Sequence, residues 1–299
     1  MTSLLDHYHG TRIWLVDASI YVFRPWFSRK QVVFDTAGNP VHAVHGFLRF
    51  VQQLIISHEP QYIAFAFDTS LQTSVRKQIY PPYKANRAAA PDELKYQFKC
   101  CRDFLDAMGL VQTASLAHEA DDLIGAWVKQ QRQTDRQLLI ISGDKDLAQL
   151  IQAHDLWWDF GQRAPLNAGG VKSTLGVWPE QIADQLALAG DKVDNIPGVP
   201  GIGMSIAAKL LKRFGTIDQL FEQLDHVGQM QIHGAKRVQK LLAEHQATVR
   251  LSRQLTGIEC NIANIPNDLK RRPKDLTKLQ ALCEVLGYSE EQYEYWAII

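Results

Sequence analysis

The sequence lacks a net charge, a disulfide framework and any long apolar run, and each absence removes a class of protein. Its 299 residues carry 32 lysines and arginines against 32 aspartates and glutamates, so no overall basic excess points to nucleic acid. No uninterrupted apolar stretch is long enough to cross a bilayer. The N-terminus, with Asp6, His7 and His9, has no basic segment followed by an apolar one, so secretion is not indicated. Four cysteines (Cys100, Cys101, Cys260 and Cys283) show neither zinc-ligand spacing nor disulfide patterning, which fits a reducing cytoplasm. Internal repeats and low-complexity tracts are also missing. What is there is globular: 46% hydrophobic and 21% charged residues, enough for a large domain with a smaller appendage and a sizeable core.

Three apolar runs of strand type end on aspartate. Ile13-Trp14-Leu15-Val16 leads to Asp17, residues 62–67 lead to Asp68, and residues 138–141 lead through Ser142-Gly143 to Asp144. Near-continuous apolar strands are buried on both faces. Helical patterns over 41–57, 92–108 and 120–133 separate them, and residues 156–160 suggest a further strand. The alternation predicts an α/β fold with a mostly parallel central sheet and helices on both faces. Such sheets carry their sites at the carboxyl ends of the strands, where the three aspartates should converge. From about Pro179 the pattern turns helical, with glycine and proline punctuation. The expected division is a core over 1–178 and a helical lobe with a C-terminal extension over 179–299.

The acids that stand out are Asp17, Asp68, Glu119, Asp121, Asp122, Asp144, Asp146, Asp191 and Asp194. Singly, each has an ordinary explanation: an acidic helix start is a cap, and an aspartate after a strand is a turn residue. Jointly, so many carboxylates at one sheet edge repel each other without cations. Oxygen-only ligands select hard ions, Mg²⁺ or Mn²⁺, and two such ions support phosphodiester hydrolysis. With nine of the 32 acids holding cations, 23 remain against 32 bases, so neutrality is compatible with a DNA partner.

Residues 76–87 interleave Arg76, Lys77, Lys84 and Arg87 with Tyr80 and Tyr83, a pattern suited to gripping a single strand and equally to a solvated loop. Gly198, Gly201 and Gly203 precede a helix over 205–214. No dinucleotide fingerprint fits, since Ile206 occupies the third glycine position and no strand precedes. Glycines before a helix let amides approach a phosphate. Lys209, Lys212 and Arg213 lie opposite Ile206, Leu210 and Phe214, as on any amphipathic helix. His42 and His45 read as packed or solvated, Cys100-Cys101 and the tryptophans as packing, and Ser142 has no surroundings of a nucleophile.

Five ordered motifs carry a family resemblance: Asp17 with Arg24; residues 83–87 (YKANR); 119–122 (EADD); 143–147 (GDKDL); and 190–203 (GDKVDNIPGVPGIG). Over about residues 11–260 the chain resembles the bacterial 5′–3′ exonuclease domain found at the N-terminus of DNA polymerase I and in phage flap endonucleases. The resemblance implies a PIN-like 5′ nuclease core, a helical arch over about 76–108 and a helix–hairpin–helix element over about 190–214. It implies two ions, Mg²⁺ or Mn²⁺: Asp17, Asp68 and Glu119 on the first; Asp144, Asp146 and Asp194 on the second with Asp191 nearby; Asp121 between them and Asp122 in support. Lys84 and Arg87 match positions that contact the scissile phosphate, Arg24 and Arg76 would be further phosphate contacts, and Tyr80 or Tyr83 would stack on bases. Gly198, Gly201, Gly203, Lys209 and Lys212 would hold duplex backbone, and the hairpin could take K⁺. The partner implied is branched or 5′-flap DNA, bound by a cytoplasmic monomer with no membrane. Two rivals stay open: a junction-binding protein without catalysis, and a PIN-type ribonuclease.

Overall fold

The computed structural model describes residues 4–5, 8–28, 32–69, 73–133 and 135–299; Asp6 and His7 lie outside them. The chain forms two compact units, each discontinuous in sequence. One comprises Tyr8–Ser70, Ala89–Gly143 and Cys260–Ile299; the other comprises Met1–His7, Leu71–Ala88 and Asp144–Glu259.

The first is an α/β unit. Its strands β1 (Thr11–Asp17), β2 (Tyr62–Phe67), β3 (Val111–Ala114) and β4 (Arg136–Ile141) run parallel in the order β3-β2-β1-β4. Successive strand residues point to opposite faces, yet Ile13, Trp14, Leu15 and Val16 are all at most 3% exposed. Both faces are therefore covered. Helix α5 (Ala120–Gln131) packs on all four strands, while α1 (Ala18–Trp26), α2 (His42–His58) and α4 (Asp92–Ala107) pack on one another, α1 also on β2 and α4 also on β3. The spacing of Val44, Phe47, Leu48, Val51, Leu54 and Ile55 gives α2 a single buried stripe. The residues expected to start and finish an arch part here. Residues 92–107 are a packed helix, with Leu94, Gln97, Cys101, Phe104 and Leu105 buried among neighbours that include α2 and β3.

Residues 260–299 also belong to this unit, a correction to the reading that attached them to the helical lobe. Backbone bonds fasten the segment: Ile63 donates to Leu269 at 2.9 Å, Arg272 to Gly109 at 2.9 Å and Asp275 to Ala107 at 2.8 Å. Helix α12 (Leu276–Leu286) packs on α4 and on α13 (Glu290–Ile298). The Trp296 ring meets Phe104 edge-on at 4.9 Å, which docks α13 against α4.

The second unit is mainly helical: α3 (Val75–Ile79), α6 (Ala168–Leu175), α7 (Ile182–Ala189), α8 (Met204–Phe214), α9 (Ile217–Glu222), α10 (Ala235–Glu244) and α11 (Gln246–Thr256), with the short strand β5 (Leu156–Trp158). Helix α7 is buried along nearly its whole length and packs on α8 and α11. The longest segment of this unit starts at Asp144 after β4, so residues 144–178 group with the helices. Among the described residues no helix is long and apolar enough to cross a membrane.

Candidate metal and nucleic-acid site

In the α/β unit the acids are fixed by the strand ends and by the start of α5. The register pairs Val16 with Ile141, which brings Ser142 level with Asp17, and the Ser142 hydroxyl donates to Asp17 Oδ2 at 2.7 Å. Asp17 is 5% exposed and ends β1 where α1 begins. Asp68 follows β2; its amide donates to Ser19 Oγ at 2.8 Å, and its Oδ1 accepts from the Ala120 amide at 2.9 Å. That bond ties the β2 end to the N-terminus of α5, where the helix favours negative charge.

Glu119 and Asp122 form a reciprocal capping box at the start of α5. The Glu119 amide donates to Asp122 Oδ2 at 3.2 Å, and both residues are under 5% exposed. Asp122, given a supporting part by the resemblance, holds Glu119 in place. Asp121 stands in the same first turn. Arg24 lies over the strand-end loop: a Cβ on Gly143 would stand 2.2 Å from Arg24 Nη2. Its guanidinium also sits 5.0 Å from the Tyr21 ring centroid. Ser142 and Ser19 are the residues that sequence reasoning missed as positioning groups; the signal was their place beside strand-end aspartates.

In the helical unit, Asp144, Asp146, Asp191 and Asp194 share one electrostatic neighbourhood. Burial among protein raises the Asp146 carboxyl to about 8, and the charges of Asp144, Asp191 and Asp194 add to the shift while Lys84 opposes it. Asp144 is also raised, first by burial, then by Asp194 and Asp191. Asp144 Oδ1 accepts from the Asp146 amide at 2.9 Å, and its carbonyl accepts from Trp157 Nε1 at 3.1 Å. Asp191 and Asp194 lie in a turn closed by paired bonds between Asp191 and Ile196 at 3.0 and 2.7 Å.

The segment 80–87 is laced to that turn. The Lys84 amide donates to the Asp194 carbonyl at 2.9 Å. Asn195 Nδ2 donates to the Pro82 carbonyl at 2.7 Å and Asn86 Nδ2 to the Val193 carbonyl at 3.2 Å. Lys84 Nζ stands 3.5 Å from Asp194 Oδ2, and Arg87 donates to Asp194 Oδ1. Two expectations are corrected here. Tyr83 is 2% exposed and packs with Ile196 and Leu255, so its ring anchors the segment and is not presented to a base; Tyr80 packs partly against the same cluster. Arg76 is 8% exposed, with its guanidinium donating to the Leu255 and Gly257 carbonyls, both at 3.0 Å. It clamps the end of α11 and is not a phosphate contact. Sequence missed this because a buried arginine reads like any other cation.

The hairpin glycines serve different ends. A Cβ on Gly198 would stand 2.2 Å from the Gly190 amide nitrogen, so Gly198 permits backbone-on-backbone packing. Gly201 has φ +88, a conformation glycine adopts without penalty. Gly203, which opens α8, has nothing within 4 Å of a Cβ and leaves its backbone exposed. Lys209, Lys212 and Arg213 are exposed while Leu210 and Phe214 are buried. His45 takes part in a hydrogen bond with the Tyr288 hydroxyl at 3.0 Å, and His42 stacks on Trp26, as packing residues do.

Among the described residues no three of these acidic, histidine or cysteine side chains form a closed metal cage. The donor set still fits a hard divalent ion: every donor is a carboxylate oxygen, and the raised Asp144 and Asp146 groups are ones that a cation would relax. Within the helical unit, the carboxylates are accompanied by the cations Lys84 and Arg87, both on Asp194; within the α/β unit, Arg24 lies beside the strand-end loop at Gly143.

Two family models match the chain: "5'-3' exonuclease, N-terminal resolvase-like domain" over residues 12–176 and "5'-3' exonuclease, C-terminal SAM fold" over 177–277. The 5'-3' exonuclease of Buchnera aphidicola is 32% identical over 83% of this chain and 86% of its own length. That of Aquifex aeolicus is 31% identical over 90% and 89%. DNA polymerase I of Rhizobium leguminosarum is 35% identical over 87% of this chain. The chain spans about a quarter of that polymerase's length, 25%. Among solved structures, the bacteriophage T5 D15 protein co-crystallised with metal ions superposes with a TM-score of 0.67 at 19% identity, covering 96% of this chain and 97% of that one.

Proposed function

This chain belongs to the 5′–3′ exonuclease family, and we propose that it hydrolyses DNA phosphodiesters from the 5′ side where single strand meets duplex. The observation that carries the reading is the helical unit's carboxylate group, laced to Lys84 and Arg87 through Asp194. Cation-binding oxygens and phosphate-binding cations are held in one turn-to-segment zipper. Solved neighbours include T5 flap endonuclease with DNA and metal ions, and human GEN1 with Holliday junction DNA. Those complexes support a branched DNA substrate for this chain.

Asp17, Asp68 and Glu119 hold one divalent ion, Mg²⁺ or Mn²⁺, with Asp121 beside them. Asp144, Asp146 and Asp194 hold another, with Asp191 close by. Such ions lower the pKa of a bound water and offset charge on the departing oxygen. The protein's own groups do the rest. Ser142 orients the Asp17 carboxylate, and the Asp122 cap fixes Glu119. Lys84 and Arg87 meet the scissile phosphate and offset its transition-state charge; Arg24 adds a further contact. Gly203 and the first turn of α8 bind duplex backbone without reading bases, and K⁺ fits the hairpin. Products carry 5′-phosphate and 3′-hydroxyl ends. The protein acts as a cytoplasmic monomer, in keeping with its four free cysteines.

One assay tests this reading: an end-labelled 5′-flap DNA and its RNA counterpart, with Mg²⁺, using the natural protein and Asp146→Ala. We expect cleavage of DNA near the junction, lowered by more than about 100-fold in the variant, beyond the range for removing a ligand's supporting partner. Cleavage of RNA alone would favour a PIN-type ribonuclease; tight flap binding without cleavage would favour a binding module.

A further inference from the structure

Helix α10 packs beside the glycine hairpin and turns a cationic face outward. A Cβ on Gly201 would touch Leu241 Cδ1 at 3.7 Å, which fixes the neighbourhood of the two. Val238 and Leu242 are buried, while Lys236, Arg237 and Lys240 are exposed. Spacings of three and four residues set these cations in one patch. The aliphatic stem of Lys236 runs past Gly228, 3.8 Å from where a Cβ would stand, so the base of this side chain rests on the segment before α10. Among the described residues neither Lys236 nor Arg237 forms an ion pair, and Lys240 has only the exposed Glu244 at 3.7 Å. Exposed pairs of that kind contribute little.

We propose that this face of α10 is a second phosphate-binding surface, extending the hairpin's hold along duplex DNA. The inference rests on the nuclease reading above. An adjacent polyanion is the partner its charge complements, and three outward cations without strong acidic partners can engage a backbone without base contacts. The surface lengthens the duplex footprint and adds affinity; it does not touch the reacting phosphate.

The test is duplex binding by fluorescence anisotropy between about 50 and 200 mM salt, with no divalent metal so that no cleavage occurs. The natural protein is compared with a variant carrying Lys236→Gln, Arg237→Gln and Lys240→Gln, and with a control carrying Lys95→Gln, Lys99→Gln and Lys278→Gln in the α/β unit. Thermal melting checks that both remain folded, and glutamine preserves helix propensity. The slope of log K against log salt should fall by about 2 to 3 in the α10 variant, near 0.9 for each phosphate no longer neutralised. Flap cleavage at saturating DNA should be unchanged. An unaltered slope in a folded variant overturns the surface, as does an equal loss in the control. If the natural protein cleaves flapped DNA and the α10 slope is unaltered, only this inference fails. If it neither binds nor cuts, the nuclease reading fails with it. Should the α10 variant unfold, the single changes Lys236→Gln and Arg237→Gln, each expected to lower the slope by about 0.9, decide the matter.

Discussion

A carboxyl raised to about 8, as at Asp146, is mostly protonated at neutral pH, yet an oxygen ligand must be ionised. Cation binding should therefore release protons between roughly pH 6 and 8, and apparent affinity should rise with pH across that window. Linkage also sets the sign for stability. The folded group binds its proton more tightly than the unfolded one, whose ordinary value is 3.8. Metal-free stability should then fall as pH rises from about 4 towards 8, and Mg²⁺ should oppose the fall. Calorimetric titration with Mg²⁺ in two buffers of different ionisation enthalpy measures the released protons. In Asp146→Asn the release should shrink sharply, and an unchanged release would place the titrating group elsewhere.

Among the elements, α3 and the segment after it show how little local sequence says about anchoring. Arg76 looks like a phosphate contact because it precedes an aromatic, cation-rich stretch. In the fold its guanidinium satisfies two main-chain carbonyls at the end of α11, and Tyr83 fills a small apolar cluster with Ile196 and Leu255. Arg76→Ala should lower stability by about 2 to 3 kcal/mol, as removal of buried bonds to a charged donor does. The salt dependence of DNA binding should stay the same. Urea denaturation paired with anisotropy titrations separates the two roles: a stable variant with a shallower salt slope would restore Arg76 as a DNA contact.

For the whole molecule, the segment after Glu259 returns to the α/β unit and closes over α4. Leu279, Cys283, Leu286 and Trp296 are each no more than 6% exposed, and the second family model ends at residue 277. Burial of a large apolar side chain is worth about 1.5 to 3 kcal/mol, and a domain's total stability is only about 5 to 15. A chain ending at residue 275 should lose cooperative unfolding of the α/β unit, read as a broadened thermal transition and rapid proteolysis. Retention of a sharp transition at the original temperature would show that α12 and α13 are ornamental.

Much was legible from the chain alone, for physical reasons that act locally. Doubly buried strands read as continuous apolar runs, so residues 13–16 and 138–141 announced a parallel sheet, and each run's end marked where acids such as Asp17 would stand. Charge repulsion among the collected carboxylates pointed to cations, which is the physical basis of the metal site proposed above. Tertiary structure alone decided which side chains spend their polar atoms on the protein itself. It assigned Arg76 to main-chain carbonyls and Tyr83 to a core. It also moved residues 260–299 onto the α/β unit. Local pattern fixes which face of an element is apolar, whereas the partner of that face, and the fate of a buried charge, depend on contacts between residues far apart in the chain.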